Sequence, residues 1–188
     1  MRFIGIDPGT KGGIASMAAD GSDVKTWKMP ETVKDLAGLF LQLSIGRGFK
    51  TCCLEIVASR PGQSVKSMFT FGQVYGQLEM AVVAHGLRLE RVRPQDWQKT
   101  FQLITGKEVN KTKKKNKHKA KAQELWPEIT VTHALADALL ICEWIRRQNM
   151  KPPEVKPDQN HHTGRSMSRE QVRKRHARIM EVDYDSRR

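Results

Sequence analysis

The sequence predicts an α/β domain: a mixed five-stranded sheet with helices on its faces. Two observations carry this reading. Three short apolar runs, separated by turn residues, come first and fold back on one another as a meander. Strand-like and helix-like patterns then alternate, as in βα units.

The first element, Arg2–Asp7, runs Phe3-Ile4-Gly5-Ile6 into Asp7 and reads as a buried central strand. Pro8-Gly9 breaks it. Gly12–Ala19 returns as a second strand after a turn short enough for antiparallel pairing. Val24–Met29 is a third, after Asp20-Gly21. Val33–Leu43 has Leu36, Leu39, Phe40 and Leu43 at helical spacing. Thr51–Val57 is a compact apolar strand with Glu55 inside it. Val65–His85 reads as a long helix. Gly72 and Gly76 lie one turn apart there, so the helix can closely approach its own sheet or a second copy of the chain. Leu87–Val92 is the fifth strand. Pro94–Phe101 is a short helix with Pro94 in its first turn.

Residues 106–117 contain Lys107, Lys111, Lys113, Lys114, Lys115 and Lys117 with almost no apolar content. They read as a mobile loop, ordered at most by a partner. His118–Leu125 forms a short helix, stopped by Trp126-Pro127. Ala134–Ile145 is the strongest helical pattern in the chain. After Pro152-Pro153 the composition turns polar and basic. Residues 1–149 are therefore one domain, and 150–188 a basic, disordered tail with helical character at Arg169–Ile179.

The net charge of +13 points to a polyanionic partner. The distribution is more informative than the total: residues 106–122 carry 8 basic side chains against 1 acidic. Cys52 and Cys53 are strand neighbours pointing to opposite faces, so they cannot pair with each other. With Cys142 they read as reduced core residues, as expected of a cytoplasmic protein. No apolar run approaches the ~20 residues that span a bilayer, and no charged-then-apolar leader opens the chain.

Three carboxylates interrupt apolar settings: Asp7, Glu55 and Asp137. Asp7 alone could simply brace its turn. Asp137 could pair with His133, four residues earlier on the same helix face. Converging from separate elements, however, three carboxylates can hold one or two Mg²⁺ ions, which prefer oxygen ligands. Such ions activate water and stabilise the leaving oxygen of a phosphodiester. In a basic chain this chemistry indicates a metal-dependent nuclease.

Ile4-Gly5-Ile6-Asp7-Pro8-Gly9, Leu54-Glu55 and Ala136-Asp137-Ala138-Leu139 together resemble the RuvC-like Holliday junction resolvases of the RNase H-like superfamily. The run from Glu55 to Gly72 is most similar to the phage and chloroplast branches. The resemblance covers about residues 1–145. It implies an RNase H-like fold, a homodimer, Mg²⁺ or Mn²⁺ held by Asp7, Glu55 and Asp137, and paired nicks in four-way or other branched DNA. It departs at one position: the acid or histidine often found three residues before the last aspartate is Ala134 here. His133, or less favourably Thr132, is left to assist the site. Lys11, Ser67, Met68, Phe69, Lys111, Lys113, Lys114, Lys115 and Lys117 are the expected DNA contacts, with an aromatic near the start of the long helix stacking on an unpaired base. Two other classes fit single motifs: a DNA-binding module without catalysis, and an actin-like or sugar-kinase nucleotide-binding protein. The latter needs a second phosphate loop, which is not evident in the sequence.

Overall fold

A computed structural model describes residues 1–58, 62–104 and 110–150. The chain order is β1 (Arg2–Asp7), β2 (Gly13–Ala18), β3 (Lys25–Lys28), α1 (Val33–Ser44), β4 (Lys50–Glu55), α2 (Val65–Ala84), β5 (Arg88–Val92), α3 (Pro94–Thr100), α4 (Lys111–Leu125) and α5 (His133–Met150). The strands form one mixed sheet in the order β3-β2-β1-β4-β5. β1 pairs antiparallel with β2 and parallel with β4, and β5 is parallel to β4. The expected sheet of five strands with helices on both faces is the one found.

Strand alternation sorts the core into two layers. Ile4, Ile6, Ile14, Cys52 and Leu54 pack with α1 and α2. Phe3, Ala15, Met17 and Cys53 pack with α3, α4 and α5. The two neighbouring cysteines therefore do lie on opposite faces, and all three are free thiols in the core. α1 begins where the hydroxyl of Thr32 accepts the backbone N–H of Asp35 at 3.1 Å. α2 begins at Ser64 in the same manner, with the Ser67 N–H at 3.2 Å.

α5 is the central helix, buried over most of its circumference, as its apolar sequence requires. It rests almost backbone to backbone on the sheet. A Cβ on Gly5 would stand 2.3 Å from the carbonyl oxygen of Ala138 and 2.3 Å from the amide nitrogen of Cys142. A Cβ on Gly13 would stand 2.8 Å from the carbonyl oxygen of Ala134. The Cys142 thiol closes the contact by donating to the carbonyl of Phe3 at 3.3 Å.

Three sequence expectations are corrected. Lys111–Lys117 is not a loop but the first half of α4. Its N-cap, Asn110, accepts the Lys113 N–H at 2.8 Å. Lysine, alanine, glutamine and leucine are good helix formers despite the charge. β4 ends at Glu55 rather than Val57, so Glu55 is its last residue. Gly72 and Gly76 do not pack on their own sheet: a Cβ at either would meet nothing within 4 Å. Lys107 and the tail beyond Met150, including Arg169–Ile179, lie outside the described residues. Among those described, no helix is long and apolar enough to cross a membrane.

Gly5→Ala forces a methyl group into main-chain atoms that cannot rotate away. We expect it to destabilise the fold by about 2–3 kcal/mol, measured as a lower urea midpoint. Gly72→Ala, in open space, should leave the midpoint unchanged or raise it.

Candidate active site

The two layers decide which side chains meet. On β1, Phe3, Gly5 and Asp7 share the face that α5 covers; on β4, so do Thr51, Cys53 and Glu55. Ile6 pairs with Leu54 at the end of the parallel ladder, so Asp7 and Glu55 follow side by side at the same sheet end. α5 descends on this end through its contacts at Gly13 and Gly5, and Asp137 falls between them. The structure thus brings Asp7, Glu55 and Asp137 to one place from three elements.

Each carboxylate is held by one oxygen. The backbone N–H of Gly9 donates to Asp7 Oδ1 at 3.3 Å. The buried indole of Trp97 donates from Nε1 to Glu55 Oε1 at 2.8 Å. His118 Nδ1 lies 2.7 Å from Asp137 Oδ1. Gly12 leaves room beside Asp7, where a Cβ would stand 2.9 Å from Oδ2.

Burial and neighbouring charge both act on the carboxylates. Burial raises Asp7 to about 6, and the charge of Asp137 adds to the shift; the Gly9 N–H and Lys115 oppose it. Burial raises Glu55 to about 7, assisted by Asp7 and Asp137 and opposed by Trp97 and Lys114. Three anions at one sheet end repel one another unless protons or a cation intervene. Among the described residues no three His, Cys, Asp or Glu side chains stand at metal-holding distance. The donor set nonetheless fits a hard divalent cation: all ligands are carboxylates, each with a second oxygen that takes no hydrogen bond from a described residue.

The other expected residues divide. His133 does not pair with Asp137; its Nε2 lies 2.9 Å from Asn116 Oδ1, and Asp137 is paired with His118 instead. Thr132 has a buried hydroxyl without a partner among the described residues. Lys114 and Lys115 are close enough to Glu55 and Asp7 to lower their affinity for protons. Lys111 and Lys113 are exposed on the same first turns of α4, and Lys11 is exposed in the turn after β1. Lys117 is engaged by the carbonyl of Gln102 at 2.9 Å. Ser67 lines a cleft of about 480 Å³ together with Glu55, Val57, Phe71, Arg93 and Gln95. Met68 and Phe71 line an adjoining hollow of about 240 Å³. Phe69 points elsewhere and is 67% exposed, so Phe71 is the aromatic of the cleft.

Sequence reading missed Trp97 and His118. Trp97 reads as core, and it is fully buried. His118 sits at the edge of a lysine run that reads as solvated. The available signal was the spacing of His118 and Ala122, four residues apart, which gives α4 a narrow face that can be buried.

Between about pH 4 to 5 and about pH 6 to 7, Asp7 and Glu55 hold protons in the folded protein that the unfolded chain has already released. Their contribution to stability is therefore complete below that range and lost as pH rises through about 6 and 7. In EDTA, Asp7→Asn should raise the calorimetric Tm at about pH 8 and change it little at about pH 5. A variant less stable than wild type at the higher pH would contradict this electrostatic reading.

No protein-family model matches the chain, and no curated protein matches it. Solved structures do. The Thermus thermophilus RuvC structure superposes with a TM-score of 0.53 at 16% identity, covering 79% of this chain and 97% of that one. T. thermophilus RuvC in complex with Holliday junction substrate gives 0.52 at 16% identity, covering 76% and 90%. The likeness is one of architecture, extending over nearly all of the matched protein: this chain has the RNase H-like fold of RuvC.

Proposed function

We propose that this chain is a divalent-metal-dependent, structure-selective endonuclease that resolves four-way junctions and related branched DNA. The observation that carries the reading is the meeting of Asp7, Glu55 and Asp137 at one end of the sheet, in a fold shared with RuvC. That one such RuvC structure holds Holliday junction substrate favours branched DNA as the substrate.

Mg²⁺, or Mn²⁺ in its place, supplies an activated water at neutral pH and neutralises charge on the departing oxygen when bound by these carboxylates. The chain's own residues provide the rest. Trp97 and His118 fix one oxygen of Glu55 and one of Asp137. Gly12 keeps space beside Asp7. Lys11, Lys111, Lys113, Lys114 and Lys115 attract the phosphate backbone, with Lys117 in a lesser role because its ammonium is engaged. Ser67 and Met68, at the start of α2 beside the cleft, serve as DNA contacts, with Phe71 as the aromatic there in place of the expected Phe69. His133, exposed at the first turn of α5, is the side chain left to assist proton transfer.

A homodimer suits two symmetric nicks. α2 supplies a face for it: Val65, Phe69, Gly72, Gly76, Met80 and Val83 recur at helical spacing, and the four large residues are 60–78% exposed. An apolar stripe with two glycines allows two such helices to approach closely. Gly76→Glu should give a monomer in sedimentation at micromolar concentration and a junction nicked on one strand at a time.

The deciding experiment uses a labelled four-way junction with Mg²⁺ and with EDTA. Asp7→Asn, Glu55→Gln and Asp137→Asn should each reduce cleavage by at least about 10²-fold, with binding in EDTA unchanged or tighter. Alanine at Lys111, Lys113, Lys114 and Lys115 should instead weaken binding and flatten its salt dependence. Junction binding without metal-dependent cleavage in the wild type would identify a binding module and sink the nuclease reading.

A further inference from the structure

We propose that His118 and Trp97 are positioning residues: ring against ring, they set the carboxylates of Asp137 and Glu55 for the cation and tie that setting to α4, the lysine helix. This rests on the nuclease reading above.

The geometry is a continuous brace. Glu55 accepts from the Trp97 indole N–H at 2.8 Å. The edge of one ring meets the face of the other, Trp97 to His118, with centroids 5.2 Å apart and planes at 75°. His118 Nδ1 meets Asp137 at 2.7 Å. With Asp137 ionised, the proton of this bond sits on Nδ1. Both rings are buried: Trp97 is fully enclosed and His118 is 4% exposed.

The choice of residues is not explained by packing alone. α4 buries only His118 and Ala122. An apolar residue at 118 would fill the same space without leaving a nitrogen unsatisfied, whereas His118 Nε2 is buried with no partner among the described residues. What histidine adds is a donor to Asp137. Likewise the Trp97 N–H, which must find an acceptor when buried, finds Glu55. The same helix carries Lys114 and Lys115 toward Glu55 and Asp7, and Asn116 to His133. A movement of α4 on a phosphate backbone therefore reaches Asp137 through a single hydrogen bond. Partners of this kind orient ligating carboxylates and commonly set metal affinity.

The test is a titration of the full chain with Mn²⁺, reading the free ion by electron paramagnetic resonance, alongside junction binding in EDTA and thermal unfolding. His118→Leu should raise the Mn²⁺ Kd about 10-fold or more while junction affinity in EDTA stays within about 2-fold. His118→Asn, whose amide N–H stands near the Nδ1 position, should recover most of the Mn²⁺ affinity. Trp97→Phe keeps the ring but drops the donor and should show a similar loss through Glu55; it carries the test if His118→Leu does not fold. Equal impairment of His118→Leu and His118→Asn would reduce His118 to packing and overturn the proposal. So would Mn²⁺ affinities at the wild-type level in both His118→Leu and Trp97→Phe, with the nuclease reading left intact. A wild type that binds no Mn²⁺ and cuts no junction would remove the nuclease reading and this inference together.

Discussion

The close seating of α5 on β1 and β2 is the constraint on which the rest depends. Main chain meets main chain at Gly5 and Gly13, with no side chain between. A helix held one methyl group further out would carry Asp137 away from the sheet end where Asp7 and Glu55 stand. The glycine in Ile4-Gly5-Ile6-Asp7 is thus a spacing device for the carboxylate two residues later. Ala134, Ala138 and Cys142, four residues apart, supply the matching small surface on α5. The Cys142 thiol donates to Phe3 where a larger side chain could not fit.

That seating creates an electrostatic problem whose solution is the site. Burial, with the neighbouring carboxylates adding to it, raises the affinity of Asp7 and Glu55 for protons. Protons, lysines or a cation can relieve the repulsion. α4 contributes the lysines, and it also contributes His118, so charge relief and carboxylate orientation come from the same helix. A chain of opposite local charge at this position would repel both DNA and its own site.

The sheet divides labour between its faces. The α3–α5 layer gathers the carboxylates and their donors, because Phe3, Gly5 and Asp7 alternate onto that side. The α1–α2 layer has an apolar core and contributes no carboxylate, although the first turns of α2 line the cleft beside Glu55. Its outer surface instead presents the unpaired stripe of α2, with Gly72 and Gly76 facing open space. The carboxylates and this apolar stripe are therefore carried by different elements.

Much of this was legible in the chain. The apolar runs of β1 and β4 put Asp7 near the end of one buried strand and Glu55 inside another, and the Ala134–Ile145 pattern determined a buried helix carrying Asp137; that Glu55 ends its strand came from the structure. Those patterns are local, with periods of 2 and 3.6 residues, and so survive without tertiary information. Charge density misled at Lys111–Lys117, because lysine-rich segments read as solvated whether or not they are helical. Only the tertiary structure decided that α4 packs at all, since its buried face is no wider than His118 and Ala122. It also decided that Asp137 pairs with His118, 19 positions away, rather than with His133 one turn before it. Spacing along one helix defines which residues could meet. Which of them do meet depends on a second helix docked against it, and no local period encodes that contact.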